Sequence, residues 1–355
     1  MNAPFPWFGG KRRIAKEVWS RFGDVAVYAE PFAGALGVLL RRPEAHWLAG
    51  RIETINDIDG FVCNAWRAIL HDPEQTARTA DWPANENDLH ARHAWLIERR
   101  ESLSARLEGD PDFHDPKIAG WWLWGLSQWI GGEFCSGRGP WWSIEVEPGN
   151  RQLVRVGGDQ EAGMGVRRRI HLSGGGQGVS RRRLHLNGDR GVKAGLVSLV
   201  PWFCALSERL RLVRITCGDW SRILTSSALA PSVGGVRGIL LDPPYGVEDR
   251  AQCYSHDSTD PAALVAEWCR GAPPDYRIAL CGYSGEHEEL EQRGWRVLSW
   301  TGGGMQRDKR SPGNRERERV WFSPACLRPG LFDAPAPDDT TDDPSVPLWP
   351  VLGAE

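Results

Sequence analysis

Short apolar runs that end at a glycine, a proline or an acid, each followed by a stretch with helical periodicity, recur at both ends of this 355-residue chain. Residues 25–30 (Val-Ala-Val-Tyr-Ala-Glu) stop at Pro31 and pass through Gly34 into the helical-looking Val38-Leu39-Leu40. Residues 52–57 form a second such run, and 59–70 place Phe61, Ala65, Trp66, Ile69 and Leu70 at helical spacing. After residue 194 the rhythm resumes, with helices near 195–209 and 261–270 and strands at 211–217, 236–241, 276–281, 294–300 and 318–322. Alternation of this kind specifies parallel pairing, because a crossover helix is what returns the chain to the same end of a sheet. Seven strands so connected predict an α/β fold: a Rossmann-like, doubly wound, mostly parallel sheet whose ligands gather at the carboxyl ends of its strands.

Residues 72–193 break the rhythm and read as an insertion. Its first half predicts two helices, over 88–108 and over 117–130, the second strongly aromatic and ending at Gly131-Gly132. Six Trp fall within 121–142, and they are expected to form the insertion's own core, with stacking or wedge roles for Trp141 or Trp142 as the alternative. Glycine and arginine dominate from 131 to 193. There Arg167-Arg168-Arg169-Ile170-His171-Leu172-Ser173-Gly174 recurs as Arg181-Arg182-Arg183-Leu184-His185-Leu186-Asn187-Gly188, two copies being too few for a solenoid. The predicted organisation is a core unit made of 1–71 and 194–331, an inserted recognition region at 72–193, and an acidic, Pro-rich, disordered tail at 332–355.

That tail also distorts the charge balance. It holds six acids and no Lys or Arg, so the net charge of −3 for the whole chain conceals +3 over residues 1–331. The excess is concentrated: residues 164–193 carry seven Arg and one Lys against Asp189 alone, or +7 in thirty residues, which fits phosphates. A solvated basic loop without base readout would have the same composition. The eight cysteines show no zinc-knuckle or redox-pair spacing and read as reduced structural thiols, and no metal site is visible. No run reaches the ~20 apolar residues of a membrane helix, and the first residues lack the layout of a signal peptide, so a cytoplasmic protein is expected.

The most informative tetrapeptide is Asp242-Pro243-Pro244-Tyr245, directly after the apolar run 238–241. Two consecutive prolines can neither continue a sheet nor enter a helix interior, so the chain must turn sharply at a strand's carboxyl end. Such a turn presents a carboxylate, a backbone carbonyl and an aromatic ring together. Carboxylate and carbonyl can accept the two N–H hydrogens of an exocyclic amine while the ring stacks on a flat base. A rigid loop with an exposed Asp is the plainer reading. Asp57, 23 residues after Gly34, stands near the ~20-residue spacing of a ribose-binding acid, or else caps the helix at 59–70. Lys11, after two glycines, suits a carboxylate-binding loop or is simply solvated.

Taken together and in order, these motifs resemble the Dam-type family of adenine-N6 DNA methyltransferases, over roughly 1–70 and 194–323. Trp7-Phe8-Gly9-Gly10-Lys11 is similar to the family's N-terminal motif, Glu30-Pro31-Phe32-Ala33-Gly34 to its glycine turn, Asn56-Asp57 to its acidic motif and Asp242-Pro243-Pro244-Tyr245 to its catalytic motif. The resemblance implies S-adenosyl-L-methionine as cofactor, held by Trp7, Lys11, Phe32, Gly34, Asp57 and Asp219, the last beside the cofactor's adenine. It implies catalysis by Asp242, Pro243, Pro244 and Tyr245 on an adenine flipped out of double-stranded DNA. One departure stands out: where many relatives have a third motif glycine, this chain has Leu36 followed by Gly37.

The expected protein is a monomeric, site-specific DNA-methyltransferase of bacterial or virus-infected cytoplasm, with or without a partner restriction enzyme. Arg167, Arg168, Arg169, Arg181, Arg182 and Arg183 are its expected DNA contacts. Cytosine-C5 chemistry, which needs a thiolate nucleophile commonly carried on a Pro-Cys pair, is not the expected reaction, since that dipeptide is absent. Methylation of cytosine N4 or of RNA adenine on the same fold, and a non-catalytic DNA-binding relative, are the alternatives.

Overall fold

The computed structural model describes residues 1–5, 7, 10–46, 51–129, 134–135, 141–147, 150–155, 198–231, 234–245, 260–300 and 318–328, of which 141–147, 150–155 and 260 are described in backbone only. In chain order the strands are β1 (Val27–Glu30), β2 (Ile52–Asp57), β3 (Trp141–Glu147), β4 (Asn150–Arg155), β5 (Val213–Cys217), β6 (Arg237–Leu241), β7 (Arg277–Tyr283), β8 (Arg296–Ser299) and β9 (Glu318–Phe322). The helices are α1 (Ala15–Phe22), α2 (Gly60–His71), α3 (Pro73–Ala80), α4 (Glu86–Gly109), α5 (Pro116–Gln128), α6 (Val200–Leu210), α7 (Asp260–Gly271) and α8 (Glu288–Glu291).

Seven strands form one sheet in the order β5-β2-β1-β6-β7-β9-β8, parallel throughout the first five and antiparallel where β9 lies between β7 and β8. This is the mixed α/β, Rossmann-like architecture that the alternating pattern predicts. The antiparallel entry of β9 is not in that pattern. All four residues of β1 are buried, as a strand covered on both faces requires. Alternate residues therefore enter different cores. Tyr28, Leu240, Ala279, Cys281, Val320 and Phe322 join the larger one, which includes residues of α1, α2 and α6, whereas Val27, Ala29, Ile239, Leu241, Ile278, Leu280 and Trp321 join Val265 and Cys269 of α7.

Helix starts follow from capping side chains. Asp59 Oδ1 accepts from Phe61 N at 2.8 Å to open α2, Asp72 and Pro73 open α3, and Asp115 Oδ1 accepts from Lys117 N and Ile118 N, both at 2.9 Å, to open α5. The α2 cap is thus Asp59, and Asp57 is relieved of that duty. The expected insertion helices are present as α4 and α5, and the aromatic one packs more widely than its own region. Trp122 stacks on Phe61 of α2, with ring centroids 6.3 Å apart and planes 10° apart, and meets Phe5 at 5.2 Å. A hairpin of β3 and β4 follows. Under the sheet, Glu53 of β2 binds Arg209 of α6 through two contacts of 2.7 and 2.8 Å and Arg42 at 3.0 Å, all three buried. The cysteines among the described residues are free thiols. No helix among those residues is long and apolar enough to cross a membrane.

Candidate active site

Because β1, β2, β5 and β6 are parallel neighbours, their carboxyl ends deliver the glycine turn, Asp57, Asp219 and Asp242 to one edge of the sheet. Backbone and side-chain bonds lock these pieces together. Ala33 N donates to Asn56 O at 2.9 Å, and the Asn56 amide donates to Pro31 O at 3.2 Å and Gly218 O at 2.8 Å, tying the ends of three strands. Gly218 N donates to Asp57 O at 2.9 Å, which sets Asp219 beside the acidic motif.

The turn itself has a left-handed Gly34 (φ +44°), and a Cβ there would lie 2.4 Å from the Trp7 ring. Gly34 thus serves two needs at once: positive φ and the indole across its face. Gly37 is required by proximity, since a Cβ would meet Arg12 N at 2.9 Å. That contact seats the 3-10 segment Lys11–Ile14 against the turn and brings Lys11 inside, 4% exposed. Between the two glycines, Leu36 adopts φ +54° while completely buried.

Asp57 receives Gly34 N on one oxygen and Asp59 N on the other, each at 2.9 Å. Burial outweighs these bonds and pushes its carboxyl up to about 7. Its oxygens retain lone pairs for further donors, as a hydroxyl pair would supply. Farther along the edge, Asp219 caps the short turn at Trp220, and Phe32 stacks on that indole at 6.2 Å. An open groove of about 400 Å³ lies there, lined by Asp219, Trp220, Ser221, Leu264, Glu267 and Trp268.

At the end of β6 the double proline turns the chain as its composition demands, with Pro243 buried and Asp242 and Tyr245 partly so. Lys11 Nζ sits 2.8 Å from Asp242 Oδ1, a position that follows from burying an ammonium, which needs a counter-charge. The Lys11 expected at a cofactor carboxylate is therefore found on Asp242. The Tyr245 hydroxyl lies 3.2 Å from Asp242 Oδ1 and 3.2 Å from Glu318 Oε2, and its ring meets Tyr283 edge-on at 4.5 Å. Glu318, the first residue of β9, escapes sequence reading because it stands in the charged run 315–319, which looks like solvated surface. The available signal is period two: Glu318, Val320 and Phe322 share the inward face.

Two carboxyls here are shifted upward. Burial raises Glu30 to about 8 against the opposing bond from the Tyr28 hydroxyl, and nearby Asp242 adds to the rise. Burial also raises Glu318, opposed by Lys11. Trp7, Lys11, Phe32, Gly34, Asp57, Asp219, Asp242, Pro243, Pro244 and Tyr245 thus lie along one edge. Arg167, Arg168, Arg169, Arg181, Arg182 and Arg183 lie outside the described residues. No group of three or more potential metal ligands occurs among the described residues.

Residues 7–106, which include Trp7, Lys11, the glycine turn and Asp57, match the family model described as D12 class N6 adenine-specific DNA methyltransferase. No curated protein matches the chain.

Proposed function

On the match of residues 7–106 to the D12 class N6 adenine-specific DNA methyltransferase model, we propose that the chain is an adenine-specific DNA methyltransferase that uses S-adenosyl-L-methionine and modifies N6 of an adenine flipped out of double-stranded DNA, by direct transfer. The observation that carries this reading is the convergence of the glycine turn held by Asp57 and the Asp242-Pro243-Pro244-Tyr245 turn on one sheet edge. The residues present fit such a cofactor. Asp57 is a partly buried carboxyl with acceptor capacity to spare, suited to a ribose diol; the left-handed Gly34, whose N–H it binds, holds the turn beside it; and Phe32, Trp220 and the groove beside Asp219 offer a flat, mostly apolar seat for a purine. When bound, S-adenosyl-L-methionine supplies a methyl group made electrophilic by its sulfonium.

The chain's own residues have four tasks. Asp242 and the Pro243 carbonyl accept the two N–H hydrogens of the target amine, which draws its lone pair out of conjugation with the ring. Tyr245 closes the pocket beside them, and Lys11 balances the charge of Asp242 until the base arrives. The basic segment 164–193, with Arg167, Arg168, Arg169, Arg181, Arg182 and Arg183, is the proposed DNA reader within the inserted region 72–193. Its support is its charge density.

The test is Asp242→Ala, a variant in which Glu318 remains near Lys11. Methylation of adenine-containing duplex is expected to fall by roughly 100-fold or more, while calorimetry still detects cofactor binding by the folded protein. A variant that keeps a tenth of the activity or more would remove Asp242 from the reaction.

A further inference from the structure

The Tyr245 hydroxyl has one proton, yet it stands 3.2 Å from two carboxyl oxygens, those of Asp242 and Glu318. It can donate to only one of them at a time. The second contact becomes a hydrogen bond only when that carboxyl carries a proton and donates it to the phenol oxygen. A hydroxyl so placed is a shuttle: it can receive a proton from one acid as it passes its own to the other. The surroundings suit a transferred proton. Lys11 Nζ is 2.8 Å from Asp242 and 3.9 Å from Glu318, so one cation faces two carboxylates, and a proton gained there brings the trio from −1 to neutral. The Glu318 side chain is 11% exposed against 19% for Asp242, which makes Glu318 the drier end of the chain of groups.

The reaction proposed above needs such an acceptor. As the new C–N bond forms from the amine's lone pair, the methyl carbon's bond to sulfur breaks and its electron pair stays on sulfur. The nitrogen is then cationic, and one N–H bond must break to leave the neutral methylated amine. Asp242 is the first group able to take that proton. While it holds the proton, its hydrogen bonding to the base is altered and its pairing with Lys11 is weakened.

We propose that Glu318, acting through the Tyr245 hydroxyl, takes up the proton that the target amine sheds to Asp242. It is a positioning residue of the transfer step, and the proposal rests on reading Asp242 and Tyr245 as the site of adenine methylation. Burial, which raises the Glu318 carboxyl above the usual range, makes it a willing acceptor. Among the described residues, the titratable and charged groups around it are Lys11 from the N-terminal turn, Asp242 and Tyr245 after β6, and Cys281 and Tyr283 of β7, with Arg319 next in sequence.

Single-turnover methyl transfer by the full chain, with S-adenosyl-L-methionine and duplex DNA saturating, is measured from about pH 5 to 9 for wild type, Glu318→Gln, Glu318→Asp and Asp242→Ala. An ionised Glu318 is the competent acceptor, so the wild-type rate rises with pH as that carboxyl loses its proton. Glu318→Gln is expected to lower the rate roughly 10- to 100-fold, to erase that rise and to enlarge the solvent deuterium isotope effect. Its separately measured DNA and cofactor affinities stay unchanged. Glu318→Asp restores part of the rate with a displaced rise. A Gln variant with wild-type rate and pH profile overturns the proposal. So does one whose loss is matched by lost affinity with the profile and isotope effect unmoved. If the Gln variant does not fold, Glu318→Asp decides: an unmoved profile and rate overturn the proposal. Full activity in Asp242→Ala sinks the underlying methylation reading, whereas an inactive Asp242→Ala beside an unaffected Glu318→Gln sinks the shuttle alone.

Discussion

A leucine held at positive φ costs roughly 1–2 kcal/mol relative to the ordinary helical region, and Leu36 is held there at 0% exposure. Its side chain must repay that strain by packing. The usual order of substitutions at a buried leucine should therefore invert. Leu36→Ala loses about 2–5 kcal/mol of packing and keeps the strained backbone, whereas Leu36→Gly loses the same packing and relieves the strain. Urea unfolding is expected to find the Gly variant at least as stable as the Ala variant, both below wild type; a Gly variant less stable by the ordinary ~1 kcal/mol would mean the turn is not strained. At this scale the sequence was partly legible. The missing third glycine was visible as a departure, but its conformation was not. Asp57 had two readings, and three-dimensional structure was needed to show Asp59 as the helix cap. Glu318 gave no local sign of function, because its partners Lys11 and Tyr245 are remote in sequence and meet it only through the sheet.

Among elements, the strand-and-helix rhythm was readable because central strands are covered on both faces and so appear as unbroken apolar runs. The N-terminal α1, the polar α3 and the β3–β4 hairpin lacked such runs and went unread, although Asp72-Pro73 is a legible start signal for α3. The direction of β9 depends on which neighbours it finds, information its five residues do not contain. The join between β2 and α6 rests on Glu53, which gathers the buried guanidinium groups of Arg42 and Arg209. Removing the shared carboxylate takes their common counter-charge from two buried guanidinium groups and leaves Arg42 with the more distant Asp24, at 3.8 Å. Glu53→Ala is thus expected to lose about 3–5 kcal/mol in chemical denaturation, while replacing all three residues with apolar ones of similar volume recovers much of it. A loss below about 1 kcal/mol for the single variant would show that backbone carbonyls such as Val25 O and Leu39 O satisfy both arginines on their own.

For the whole molecule, the charge pattern separates an acidic end from a basic middle, and a near-neutral total hides both. If residues 164–193 lie along DNA, replacing Arg181, Arg182 and Arg183 with Ala removes up to three phosphate contacts. The slope of log affinity against log salt is then expected to flatten by up to ~0.9 per contact. Salt titrations of wild type and variant on the same duplex check this, with cofactor affinity unmoved; an identical slope would relocate the DNA reader. The antiparallel insertion of β9 has its own consequence. Among the described residues, edge strand β8 is bonded to the sheet only through β9, and the same strand brings Glu318 to Lys11, so the order of assembly is constrained. Closing that contact requires joining the first and last parts of the chain, a slow, non-local step in folding. Fraying of this border would remove β8 from the sheet and take Glu318 away from Tyr245 together. Amide hydrogen exchange at β8 and β9 would then report on the same opening that switches the enzyme off, making catalytic competence a property of the last strand to dock.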